Sequence, residues 1–178
     1  MIYAFALTFD SAVSRALISY SELFAAKSQV LLDTNLAIPH VTLAQFDVEP
    51  PEVGELWSEL NRSGASATFD CSFAGLCLLP APSGECWVEV PVLGGRDLAD
   101  LQLEVLNLPS MRGRTIYNGT GRNFRPHVTL ALYESIGDVP STIDLPADLL
   151  RLSAETKISL GPTGPNYTFN RPAFSTVQ

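Results

Sequence analysis

The hexapeptide Pro-His-Val-Thr-Leu-Ala occurs twice in this chain, at residues 39–44 and again at 126–131. Average residue frequencies would produce an identical six-residue repeat in roughly one such chain in a thousand. The two copies are therefore read as an internal duplication. His40 and His127 are the only histidines among 178 residues and lie 87 positions apart, about half the chain. Each copy runs on into an aromatic residue, Phe46 in the first and Tyr133 in the second.

Strand geometry turns the repeat into a candidate site. Residues i and i+2 of a strand face the same side. His40 and Thr42 should project together, as should His127 and Thr129, with Val41, Leu43, Val128 and Leu130 on the opposite, buried face. Ala44 and Ala131 would continue the polar face with minimal side chains and leave room for a ligand. Pro39 and Pro126 sit where a strand tolerates the missing N–H. A pseudo-twofold axis would gather two imidazoles and two hydroxyls around one cavity.

That set of groups suits phosphodiester cleavage. The attacking oxygen needs a base and the leaving oxygen an acid, and imidazole, with a pKa near 6.5, serves as either. The hydroxyls of Thr42 and Thr129 can hold the non-bridging oxygens. A zinc site is the rival use of the two histidines and needs a third protein ligand. Asp33 and Asp47 are the candidates, but no metal-ligand spacing is visible, so no metal and no cofactor is expected.

The rest of the pattern predicts strand, helix, strand, helix, strands, helix, strands. Strands are expected at 2–9, 41–48, 66–79, 86–92 and 128–133, with strand-like pieces at 149–160 and 167–169. Helices are expected over 11–27 after an N-cap at Asp10, over 52–61 after Pro50 and Pro51, and over 97–108. No linker separates independent units, so the expectation is one α+β domain spanning 1–178 in two related halves.

Composition narrows the function. Hydrophobic residues make up 46% and charged residues 17% of the chain, as in a compact globular protein. No apolar run approaches the ~18–20 residues that span a bilayer, and the N-terminus lacks the basic region of a signal peptide. Cys71, Cys77 and Cys86 form an odd, unclustered set, read as free thiols in a reducing cytoplasm. The net charge of −8 repels a long duplex and favours a small anionic substrate. Four arginines, Arg112, Arg114, Arg122 and Arg125, fall just before the second motif in a glycine-rich loop. Arg122 and Arg125 are the candidates to gather phosphate charge at the cleft mouth. Tyr117 and Tyr133 are candidates for contact with the substrate, Tyr117 by stacking on a base. Trp57 and Trp87 are assigned to packing.

Two copies of His-x-Thr, each on a strand and half a chain apart, resemble the two-histidine (2H) phosphoesterase superfamily. The segment Phe124-Arg125-Pro126-His127-Val128-Thr129-Leu130 is similar to the second motif of its LigT-like branch. Where that branch often has a basic residue shortly after the motif, this chain has Leu132 and Tyr133. The resemblance implies two pseudo-symmetric α/β lobes with facing antiparallel sheets, outer helices and the motifs lining the cleft between. It also implies a metal-free phosphodiesterase, with His127 as base and His40 as acid; the chain is expected to be a monomer. Its substrate would be a 2′,3′-cyclic phosphate or a 2′-5′ or cyclic oligonucleotide. Two other readings are a binder of such nucleotides without turnover and an enzyme that processes RNA ends.

Overall fold

The computed structural model describes residues 1–64, 68–143 and 153–176. The first half is built on strand β1 (Ile2–Phe9), helix α1 (Ser11–Glu22), the short strand β2 (Val30–Leu31) and the first motif strand β3 (His40–Asp47). Helix α2 (Val53–Ser63) leads to β4 (Thr68–Phe73) and β5 (Cys77–Pro80). The second half repeats the plan with β6 (Cys86–Leu93), helix α3 (Gly95–Leu106) and the second motif strand β7 (His127–Tyr133), followed by β8 (Ser153–Pro162) and β9 (Phe174–Ser175).

Local sequence accounts for these elements. The Asp10 carboxylate accepts from the N–H groups of Ala12 and Val13 at 2.6 and 2.9 Å, capping α1. Val13, Leu17 and Tyr20 then fall on one buried stripe. The helix ends sooner than its apolar spacing predicts, because the chain turns through Lys27, at φ +64°, to deliver β2. The expected single strand over 66–79 is broken between β4 and β5 at Gly75, whose φ of +104° suits glycine alone. Residues 66–67 and 149–152 of the expected strands lie outside the described residues. The stretch 167–169 is not a strand; a single 3-10 turn over Pro165–Tyr167 precedes an isolated bridge from Thr163 to Phe169.

One lobe orders its strands β3-β1-β8-β4, with β9 on β8, and the other β2-β7-β6-β5. All named pairings are antiparallel, and the lobes join where Ser72 and Phe73 of β4 meet Leu93 and Val92 of β6. In each half the first strand pairs with the motif strand, and both ladders slip at the same place. Phe5 faces Ala44 while Ala6 faces Thr42, and Val88 faces Ala131 while Glu89 faces Thr129. Leu43 and Leu130 are thus the extra residues of two matching β-bulges.

The helices are exchanged between the halves: α1 packs on β7 and α3 on β3. One continuous core results, holding Phe5, Leu17, Leu43, Leu101, Val105 and Leu130. Burial of each such side chain contributes about 1.5–3 kcal/mol. Cys71 and Cys86 are buried and unpaired, and Cys77 is half-buried. Burial pushes the Cys71 thiol up to about 11. Among the described residues no helix is long and apolar enough to cross a membrane.

Candidate active site

The two motif strands lie side by side without pairing and open onto a cleft of about 290 Å³. His40, Thr42, His127 and Thr129 all line it. Nδ1 of His40 lies 2.8 Å from the Ile38 carbonyl, and Nδ1 of His127 lies 2.6 Å from the Arg125 carbonyl. A carbonyl only accepts, so each Nδ1 carries a proton and each ring keeps Nε2 for chemistry. The same i−2 contact in both copies follows from the proline between, which fixes the backbone where each strand begins. Among the described residues neither threonine hydroxyl has a hydrogen-bond partner.

The surroundings of the two rings differ. His40 is half-buried against the Phe169 ring, whose centroid is 5.2 Å away. Burial pushes its pKa down to about 4 against the opposing pull of the Ile38 carbonyl, and charge on His127 acts in the same direction. His127 instead has a carboxylate beside it, with Glu89 Oε1 3.3 Å from Nε2. Glu89 is only 4% exposed, and its charge is met by Arg125, whose Nη2 donates to Oε2 at 2.8 Å and to Oε1 at 3.1 Å.

The bulges redirect several side chains that strict alternation aims at the cleft. Past Leu43 and Leu130 the strands change face, so Ala44 and Ala131 enter the core and do not line the cavity. Tyr133, expected to contact substrate, is fully buried and donates its hydroxyl to the Phe24 carbonyl at 2.5 Å. By the same change of face Gln45 reaches the cleft.

The arginine loop also differs from expectation. Arg114 is tied to Glu52 and to the Asp47 carbonyl, both at 2.8 Å. Arg112 and Arg122 are exposed and do not line the cavity, and Arg125 is engaged by Glu89. The loop docks along β3 through Tyr117 N–H to the Gln45 carbonyl and so presents Tyr117 and Asn118 to the cleft, not its arginines. The Tyr117 hydroxyl donates to Asp47, and Asp33 accepts from three backbone N–H groups, so both aspartates are engaged. Among the described residues no three His, Cys, Asp or Glu side chains converge to hold a metal ion.

Trp87, assigned to packing from the sequence, forms part of the cleft wall with Leu79 and Phe169. Sequence reasoning also missed Glu89. Its available signal was a carboxylate between Val88 and Val90 in an otherwise apolar strand, a placement that demands a partner.

A family model of the 2′-5′ RNA ligase superfamily matches residues 29–151, both motifs included. The chain belongs to that superfamily. Solved structures share this fold across almost the whole chain. A crystal structure of a phosphoesterase superposes with a TM-score of 0.69 at 18% identity, covering 98% of this chain and 95% of that one. LigT of E. coli, crystallised with 3′-AMP, gives 0.68 at 17% identity with the same coverage. No curated protein matches in sequence.

Proposed function

We propose that this chain is a metal-independent phosphodiesterase, one bilobal domain over 1–178, that hydrolyses a 2′,3′-cyclic phosphate or a 2′-5′ or cyclic oligonucleotide. The observation that carries the proposal is the pair of Nδ1-anchored histidines, His40 and His127, on the walls of one cleft with Thr42 and Thr129 beside them. One Nε2 takes a proton from water as its oxygen bonds to phosphorus. The other gives a proton to the ribose oxygen as the P–O bond breaks. The threonine hydroxyls donate to the non-bridging oxygens. The cavity suits a nucleotide-sized ligand, and the 3′-AMP bound by LigT supports a substrate of that kind. Tyr117 lines the cleft, which supports a stacking contact with a base. The three unpaired thiols fit a reducing cytoplasm.

The test is a hydrolysis screen against cyclic mononucleotides, 2′-5′ oligomers and cyclic oligonucleotides in the presence of EDTA. Activity is expected at full strength under chelation. His40→Ala and His127→Ala should each cost several orders of magnitude, with the double variant little worse, because acid and base act as a unit. Thr42→Ala or Thr129→Ala should cost on the order of ten- to a thousand-fold. A dispensable histidine, or activity lost to EDTA and restored by zinc, would overturn the proposal. Binding of these nucleotides without turnover would make the chain a binder.

A further inference from the structure

We propose that Gln45 is a specificity-determining residue: its side-chain oxygen accepts a hydrogen bond from the amino group of the substrate's base, so the cleft selects adenine or cytosine over hypoxanthine or uracil. This rests on the phosphodiesterase reading above and names the class of nucleotide it takes.

The internal duplication isolates the residue. Gln45 and Leu132 hold the same place in their halves, each three positions past the motif threonine and just beyond the bulge. Each carbonyl takes an N–H from the chain leading to the other half's motif, Tyr117 for Gln45 at 2.9 Å and Gln29 for Leu132 at 2.7 Å. The fold therefore accepts an apolar side chain at this place, and the first half puts an amide there instead. Gln45 is only 6% exposed. Burying an amide is costly unless its polar atoms find partners.

Within the chain that demand is half met. Gln45 Nε2 donates to the Tyr167 carbonyl at 3.3 Å. A carbonyl only accepts, so turning the amide over would set oxygen against oxygen, and Oε1 is fixed as the atom facing away from Tyr167. Among the described residues Oε1 has no hydrogen-bond partner, and the sealed side-chain atom without one is Asn170 Oδ1 instead. Oε1 is therefore open to the cleft that Gln45 lines. Its backbone is clamped on both sides: the Gln45 N–H donates to Asn118 Oδ1 at 2.7 Å, and Tyr117 holds the carbonyl. The acceptor is thus preorganised for a ligand.

The acceptor also lies at the right remove from the motif residues. Thr42 and Gln45 stand opposite Ala6 and Ala4, two residues apart on β1, which is about 7 Å along the strand. That interval leaves room for the ribose between a phosphate held at the motif residues and the polar edge of its base. Tyr117, exposed at the same end of the cleft, offers its ring to the face of that base while its hydroxyl is tied to Asp47. An adenine or cytosine amino N–H then donates to Oε1. Hypoxanthine and uracil carry a carbonyl oxygen there, which meets Oε1 acceptor to acceptor and leaves it without a partner.

Titration calorimetry with 3′-AMP, 3′-IMP, 3′-CMP and 3′-UMP tests this without turnover. 3′-AMP should bind about ten- to a hundred-fold tighter than 3′-IMP, and 3′-CMP than 3′-UMP, as one buried hydrogen bond implies. Gln45→Leu, which copies Leu132, should abolish both preferences by weakening the amino nucleotides and sparing the keto ones. Equal affinities in the unaltered protein, a preference for the keto bases, or no binding of any of the four would overturn the inference. So would a Gln45→Leu protein that binds all four more weakly by the same factor, since a merely structural residue behaves that way. Turnover of cyclic nucleotides without regard to base would leave the phosphodiesterase reading standing alone. Base-selective binding without turnover would leave only the role of Gln45, so the two proposals fail separately.

Discussion

His40 and His127 share a hexapeptide and a hydrogen bond on Nδ1, yet one lies against an aromatic ring and the other against a carboxylate. Burial depresses the pKa of His40 to about 4 in the folded protein, whereas the unfolded chain titrates it near 6.5. Between those values the unfolded state binds more protons, so stability rises with pH across the window. The contribution is complete above about 6.5 and is lost as pH falls towards 4. It amounts to up to about 3 kcal/mol, less in proportion to the solvent contact the ring retains. Urea unfolding of the wild type and of His40→Gln from pH 4 to 7.5 measures it. The wild-type curve should slope more steeply through this window, and parallel curves would show that the ring is not held neutral by the fold.

At the scale of elements, each bulge turns a carbonyl out of its ladder, and a buried side chain from the other half's helix takes it up. The Ser21 hydroxyl of α1 donates to the Leu130 carbonyl at 2.5 Å and accepts from Leu32 N–H at 2.9 Å. Gln102 of α3 donates to the Leu43 carbonyl at 2.9 Å and to the Gly119 carbonyl at 3.0 Å, and accepts from Gly121 N–H at 3.1 Å. Ser21→Ala should therefore cost about 1–3 kcal/mol, because the Leu130 carbonyl and Leu32 N–H lose a buried partner. Gln102→Leu should cost about 1–2 kcal/mol, because Gly121 N–H loses its acceptor while the Asn118 amide still donates to the Leu43 and Gly119 carbonyls. The two sites share no partner, so the double variant should lose the sum to within about 0.5 kcal/mol. Denaturant unfolding checks both values, and a double variant well short of additive would mean the halves are coupled by something other than these contacts. These bulges also explain where sequence reading stopped. The motif histidines and threonines lie before the extra residue, and period-two alternation places all four correctly on the cleft. Ala44, Ala131 and Tyr133 lie after it, and alternation puts each on the wrong face. No residue of the hexapeptide marks a bulge, since Leu43 and Leu130 are ordinary strand residues. The cleft wall at Trp87 and Glu89 depends on which strand pairs with β7, a long-range fact that local pattern does not carry. Strand β1 and the three helices were readable because each depends only on local periodicity and caps.

For the whole molecule, the net charge of −8 decides how substrate arrives. None of the described residues lining the cleft is lysine or arginine, and Arg125 nearby is engaged by Glu89. A phosphodiester anion therefore approaches through an acidic field without a cationic funnel. That field extends about 30 Å at 0.01 M salt and about 10 Å at 0.1 M. Raising salt from about 10 to 150 mM should increase kcat/KM on a 2′,3′-cyclic mononucleotide by a few-fold, because repulsion at long range is screened. The gain should appear in KM and leave kcat nearly unchanged, since the groups that meet the phosphate act at contact distance. A substrate read along a polynucleotide backbone gives the opposite sign, for salt weakens every phosphate contact it depends on. Initial rates at three salt concentrations on a cyclic mononucleotide and on a long RNA bearing a cyclic phosphate end separate the two. A steep fall of kcat/KM with salt on the small substrate would reveal a basic entry surface and overturn the acidic-approach account. A steep fall on the RNA alone, with higher kcat/KM at low salt than the mononucleotide, would move the natural substrate to RNA ends.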